Sequence, residues 1–257
     1  MRFRRYLAAA VVCVALLVSD LVQRLIIRPW VKLRPSRRTA VLGGWLNLMA
    51  WVVTAPVRRI GGGRIPRPLR AIPGGPGVLI LMNHQSLFDI PLVVQAVDGG
   101  YPRIVTRKRY SRGIPLISHM IGLYEYPLVE PSANPSTVRE TLNDLAAAAA
   151  DAEQPIVIFP EGTRSRDGEI RRFKSAGLST ILAARPWTVY VVVADGFWSV
   201  VTFDDFLKRM DHIRAHIELA GVLEWTDPAA DPAPFMCEVR ALMVERLAAM
   251  RGRGRAT

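Results

Sequence analysis

The chain has 257 residues, half of them hydrophobic, with 34 Lys and Arg against 22 Asp and Glu and a formal net charge of +12. A chain this long and this apolar is neither disordered nor a mini-protein that depends on staples. Its two cysteines, Cys13 and Cys237, exclude a disulfide framework and argue against a cysteine-built zinc site.

The excess charge sits at the front. Residues 1–70 hold fourteen Lys and Arg and one acid, Asp20, whereas residues 71–257 are near neutral with 20 against 21. A nucleic-acid enzyme more often carries its basic patch on the folded domain. Basic clusters framing apolar runs instead fit an anionic membrane surface. Residues 6–19 form an uncharged run behind Arg2, Arg4 and Arg5. Continued as a helix, the run brings Asp20, Arg24 and Arg28 onto one stripe at i, i+4 and i+8. Residues 39–57 form a second uncharged run, joined to the first by a connector with Arg28, Lys32, Arg34, Arg37 and Arg38.

A signal peptide would explain the start, but residues 17–21 offer no small-residue cleavage site. Two full spans would put the connector or both flanks on the wrong side for the positive-inside tendency. A helical hairpin dipping into one leaflet keeps all three basic clusters at the headgroups, so the chain is expected at the cell membrane on its cytoplasmic face.

Gly- and Pro-rich stretches at 60–68 and 73–77 read as a linker, dividing a membrane-embedded hairpin with its basic linker (1–70) from a folded domain (71–257). Strands are predicted at 78–82, 103–106, 123–129, 156–159, 189–194 and 216–223, and helices at 90–97, 136–152, 174–184 and 235–250. Asn134 and Pro135 supply an N-cap and first-turn pair for the second of these helices. The alternation predicts an α/β domain, a mixed, mostly parallel sheet flanked by helices. The basic end at 251–255 reads as a frayed tail.

Two motifs carry chemistry. Asn83-His84-Gln85-Ser86-Leu87-Phe88-Asp89 follows the strand at 78–82. Five residues turn a regular helix by about 500°, which separates His84 from Asp89, but a strand-to-helix turn can join them. Asp89 can then fix the imidazole tautomer and leave the other ring nitrogen as a base for an alcohol. A helix-capping Asp beside an incidental His is the alternative.

The second motif, Pro160-Glu161-Gly162-Thr163-Arg164-Ser165, follows the strand at 156–159. Its glycine permits a sharp turn, and Thr163, Arg164 and loop N–H groups suit a phosphate. The alternative here is a solvated hairpin, the expected role of the charges from Arg166 to Lys174. No Ser or Cys sits in a nucleophile elbow, which favours direct attack by a substrate hydroxyl.

The two motifs, in this order and about 70 residues apart, resemble the glycerolipid acyltransferase family, whose bacterial type is 1-acyl-glycerol-3-phosphate O-acyltransferase. The resemblance covers roughly residues 70–200 and implies a glycerol-3-phosphate acyltransferase-like fold. It implies His84 as base, Asp89 as its orienting partner, and Glu161, Gly162, Thr163 and Arg164 as the loop for the lysophospholipid phosphate. Arg107 and Lys108 lie in a basic segment that the family places near the acceptor, and Phe173-Lys174-Ser175-Ala176-Gly177 is similar to the family's continuation. The implied reaction moves an acyl group from acyl-CoA or acyl-carrier protein to a lysophospholipid in the membrane, with no metal, prosthetic group or nucleic acid. The resemblance leaves open a different lysolipid or hydroxylated amphiphile, or lipid binding without catalysis. Two stretches depart from the pattern: Pro127 stands where an arginine is expected, and the strand around Tyr190 lacks its proline.

Overall fold

The computed structural model describes residues 2–200 and 202–255. Its first layer is the expected hairpin. α1 (Arg2–Val22) runs through a π turn (Gln23–Ile27) into α2 (Arg28–Leu33), and after a short bend at Pro35–Arg37 the chain returns as α3 (Arg38–Pro56). The two arms, Phe3–Leu33 and Pro35–Gly61, are long and apolar enough to cross a membrane by length and composition. They are antiparallel: Arg4 Nε donates to the Ile60 carbonyl at 3.1 Å, and Trp45 Nε1 to Gln23 Oε1 at 3.0 Å.

The rest is built on one sheet. In chain order follow β1 (Ile72–Pro73), β2 (Val78–Met82), α4 (Asp89–Ala96), β3 (Val97–Asp98), β4 (Arg103–Ile104), β5 (Thr106–Arg107), α5 (Ile117–Leu123), β6 (Leu128–Val129), α6 (Pro135–Ala150), β7 (Ile156–Ile158), α7 (Ser175–Ala184), β8 (Trp187–Asp195), α8 (Phe203–Arg209), β9 (His216–Trp225) and α9 (Pro232–Arg255). The five-stranded sheet has the order β4-β7-β2-β8-β9. Its first four strands are parallel and β9 closes the edge antiparallel to β8. This is the mixed, mostly parallel sheet that the alternation of elements predicts.

Strand period two sorts the core. Val78, Ile80 and Met82 face one way, into a cluster with Leu42, Leu46, Ala50 and Val57 of the hairpin and with α4. Leu79 and Leu81 face the other way, among residues of α6, α7 and α9. The hairpin is therefore a packed layer of the molecule, sharing a core with the sheet.

Several local expectations change. The strand expected at 123–129 is the end of α5 plus a turn, and only Leu128–Val129 is extended. Tyr124 is fully buried there, with its hydroxyl donating to the Leu42 carbonyl of α3 at 2.9 Å, so packing on the hairpin overrides the β-prone composition. The strand expected at 103–106 splits at Val105: β4 joins the main sheet, and β5 turns away to pair with β6. The basic end does not fray, because α9 runs to Arg255 and Arg251 is anchored by Asp195 and Glu169. α8 was not anticipated, although Thr202 and Asp205 form a capping box at its start.

Candidate active site

β2 and β7 are adjacent and parallel, with Leu81 in register with Ile158, so the two motif loops leave the same sheet edge side by side. Strand ends of this kind are where α/β sheets bind ligands. The first loop turns from β2 into α4 and folds His84 back onto Asp89. His84 Nδ1 lies 2.8 Å from Asp89 Oδ2, which also accepts the backbone N–H groups of Gln85 at 2.6 Å and Ser86 at 2.8 Å. Asp89 is completely buried. A carboxylate that only accepts puts the proton on His84 Nδ1, which leaves the Nε2 lone pair without a partner among the described residues. The imidazole also stacks on Phe159, with ring centroids 4.2 Å apart. The helix-cap alternative is thus only part of the picture, since one oxygen of Asp89 orders the loop backbone and the ring together.

The second loop grips the first through the backbone of His84. The His84 N–H donates to Glu161 Oε1 at 3.0 Å, and its carbonyl accepts from the Ser165 N–H at 2.7 Å. The other oxygen of Glu161 accepts from the Arg171 N–H at 3.1 Å. Glu161 is almost fully buried, and burial pushes its carboxyl up from the usual range against the opposing effect of those two N–H groups. Its side chain is a strut between loops. Both oxygens are occupied by backbone N–H groups, so the polar groups of the loop that remain open belong to its neighbours.

Gly162 has φ +63, the left-handed region, and a Cβ there would lie 2.8 Å from Lys174 Cδ. The Lys174 stem therefore lies over the turn and brings a cation to it. Lys174 is therefore not part of a solvated charge run, and the Phe173-Lys174 pair of the family-like continuation is the sequence signal for its place here. Arg107, at the end of β5, donates from Nη2 to the Gly162 carbonyl at 2.9 Å. Thr163 is exposed and Arg164 half-buried on the same loop. Lys108 points elsewhere, pairing with Glu130 at 3.2 Å in an exposed contact.

The remaining polar residues of the first motif rivet it to the end of β8, a role the sequence did not reveal. Asn83 exchanges two hydrogen bonds with the backbone of Ala194, and Ser86 Oγ donates to the Val200 carbonyl. Gln85, wholly buried, accepts from the Phe197 N–H and donates to Asp195 Oδ1 at 3.0 Å. Asp195 in turn is paired with Arg251 Nε at 2.9 Å. Burial opposes its ionisation, but the hydrogen bonds from Arg251 and Gln85 outweigh burial and hold Asp195 below the usual carboxylate range.

A sequence profile of the Acyltransferase family matches residues 64–195, which includes both loops. A 1-acyl-sn-glycerol-3-phosphate acyltransferase of Cocos nucifera is 28% identical over 163 residues, 63% of this chain and 48% of that protein. A protein of the same description from Limnanthes douglasii is 24% identical over 174 residues, 67% of this chain and 57% of its own. The match thus spans about half the length of these curated relatives. Among solved structures, the 1-acyl-sn-glycerophosphate (LPA) acyltransferase of Thermotoga maritima superposes with a TM-score of 0.71 at 17% identity, covering 98% of each chain. That likeness in fold includes the hairpin.

Proposed function

The chain belongs to the acyltransferase family, and from that membership we propose that it transfers a fatty acyl group from a thioester, acyl-CoA or acyl-carrier protein, to the free hydroxyl of 1-acyl-glycerol-3-phosphate. The observation that carries this reading is the double clasp of the His84 backbone by Glu161 and Ser165. It sets an imidazole with one free nitrogen beside a turn that carries Thr163 and Arg164 and is met by the side chains of Arg107 and Lys174. A hydroxyl a few bonds from a phosphate fits such a pair of neighbours.

In the proposed reaction the acceptor phosphate rests on the 162–164 turn, with Arg107 holding that turn through the Gly162 carbonyl. His84 Nε2 removes the hydroxyl proton as the oxygen attacks the thioester carbonyl. The C–O bond forms, the tetrahedral intermediate expels the thiolate, and the imidazolium returns its proton to the sulfur. Asp89 keeps Nδ1 protonated and stabilises the cation formed midway. The exposed apolar face of α1, from Phe3 through Val14 and Leu17 to Leu21, supports attachment to a membrane, and the basic connector supports its cytoplasmic leaflet.

The test is a panel of lysolipid acceptors with labelled acyl-CoA and acyl-carrier protein, read by lipid mass analysis, on wild type and His84→Ala. Phosphatidic acid formed by wild type and reduced about 10²–10⁴-fold in the variant is the expected result. Undiminished turnover in His84→Ala removes the proposed base, and turnover only with acceptors lacking phosphate removes the proposed acceptor.

A further inference from the structure

At the bend of the hairpin, α1–α2, the start of α3 and α5 line a half-open cavity of about 350 Å³ that includes no residue of either motif loop. That volume lies within the usual range of small-ligand sites, about 300–1,000 Å³. Four cations line it, Arg24, Arg28, Lys32 and Arg38, with His119 beside them and Glu125 as its acid. The first three repeat at i, i+4 and i+8, so the stripe foreseen for Arg24 and Arg28 continues to Lys32 and faces into the cavity.

The internal charge balance is incomplete. Arg24 is held by Asp20 at 2.7 Å, and Arg38 by Glu125 and the Leu123 carbonyl, both at 2.8 Å. The side chains of Arg28 and Lys32 have no hydrogen-bond or ion-pair partner among the described residues. Both are exposed, so solvent screens them, and their charge is available to an anion that enters the cavity. On the other side of the same helix, Leu25, Ile26, Trp30 and Leu33 are all at least half exposed. A helix that is cationic on one face and bare and apolar on the other lies naturally at a bilayer surface, with its cavity at headgroup depth.

We propose that this cavity is a phosphate-ester site for the headgroup of an anionic phospholipid, separate from the His84 groove. The phosphate lies between Arg28 and Lys32, with the guanidinium of Arg28 binding two of its oxygens. Basic pockets between membrane helices on the cytoplasmic side take anionic headgroups by the same physics. The inference goes beyond the acyl-transfer reading: its ligand carries no reacting hydroxyl of a lysolipid, so binding is measurable whether or not the chain acylates anything.

The full chain, purified in a neutral detergent, is titrated with dioleoyl phosphatidylglycerol, dioleoyl phosphatidylcholine and inorganic phosphate, and bound molecules are counted by native mass spectrometry. An Arg164→Gln background is run in parallel so that occupancy of the motif loops is not counted. One phosphatidylglycerol per chain is expected, with affinity about thirtyfold lower in Arg28→Gln/Lys32→Gln, the fold-change for two headgroup cations. The exchange variant Arg28→Lys/Lys32→Arg keeps the charge and restores most of the binding, which separates loss of the site from loss of folding. Inorganic phosphate bound by lipid-free wild type and lost in the double variant, without lipid retention, assigns the same chemistry to a soluble phosphate. Equal retention by the double variant and wild type, or equal retention of phosphatidylcholine and phosphatidylglycerol, overturns the proposal.

Discussion

Replacing Asp89 by Asn separates the two things this buried carboxylate can do. One oxygen, Oδ2, accepts from His84 Nδ1, the Gln85 N–H and the Ser86 N–H, and Oδ1 has no partner. An amide oxygen can occupy the Oδ2 position, so the loop keeps its shape while three charge-assisted hydrogen bonds become neutral ones. A bond to a charged acceptor contributes about 1.5–3 kcal/mol and a neutral one about 0.5–1.5, so the expected destabilisation is about 3 kcal/mol. For a chain of this length that is a fall in Tm of about 6–12 °C. Catalysis loses more. The neutral amide no longer stabilises an imidazolium, and kcat for acyl transfer should fall about 10²–10⁴-fold with KM for the acceptor little changed. The assay pairs thermal denaturation in detergent with steady-state transfer from acyl-CoA to 1-acyl-glycerol-3-phosphate in mixed micelles. A variant that loses the stability yet keeps kcat within tenfold would show that Asp89 only ties down the loop, and the dyad would fail as a catalytic device.

Gly162→Ala forces a side chain into φ +63 and against the Lys174 stem, and should cost about 1–2 kcal/mol by denaturation while raising KM for the phosphorylated acceptor. Arg107→Ala removes the donor to the Gly162 carbonyl and should raise that KM about tenfold to a hundredfold with kcat nearly unchanged; an equal fall in kcat would point to a role in the chemical step. Arg251→Met leaves Asp195 with Gln85 and the Gly196 N–H but no cation, and a loss of about 1–3 kcal/mol is expected at neutral pH. Since Asp195 sits below its usual value of 3.8 in the fold, the stability from its ion pair is full above that value and lost as pH falls through the lowered one. The gap between wild type and Arg251→Met, followed by denaturant titration, should therefore shrink below about pH 4; a constant gap down to pH 2 would contradict the ion pair.

Legibility in the sequence followed the range of the interaction. His84 and Asp89 are five apart, and Gly162 and Arg164 are local to one turn, so residue type and spacing sufficed to single them out. The alternation of apolar runs with helical stretches likewise sufficed for the sheet and its main helices. The rivets of the same motif were invisible. Asn83, Gln85 and Ser86 act on Ala194, Phe197 and Val200, each more than 100 residues away, and a buried amide looks the same in sequence as an exposed one. Misreadings cluster where the hairpin meets the domain. Tyr124 and Tyr126 favour a strand by propensity, but Tyr124 bonds α3 through its hydroxyl and packs edge-on against Tyr101, with the Tyr126 ring beside it, and that partner surface is not encoded locally. Arg251 was read as tail for the same reason, its partner being 56 residues upstream.

The polar residues inside the first apolar arm now divide by direction. Asp20 and Gln23 point inward and hold Leu116, a buried residue with φ +61, by its N–H at 2.8 Å and its carbonyl at 3.5 Å. Such a backbone costs about 1–3 kcal/mol for a side chain of this kind and persists only where the surroundings fix it. The strained residue opens α5, and Ser118 on that helix donates to the Tyr110 carbonyl at 3.0 Å, in the turn that follows Arg107 and Lys108. The arm that carries the apolar face is thus tied through Leu116 and α5 to the segment that holds the Gly162 carbonyl. In the proposed reaction a hairpin attached this way would do more than tether: the depth of α1 in a bilayer would also set the height of the Gly162 turn, and so of the hydroxyl that His84 is proposed to deprotonate. The basic stripe of Arg24, Arg28 and Lys32 on the same arm would fix that depth from the headgroup side.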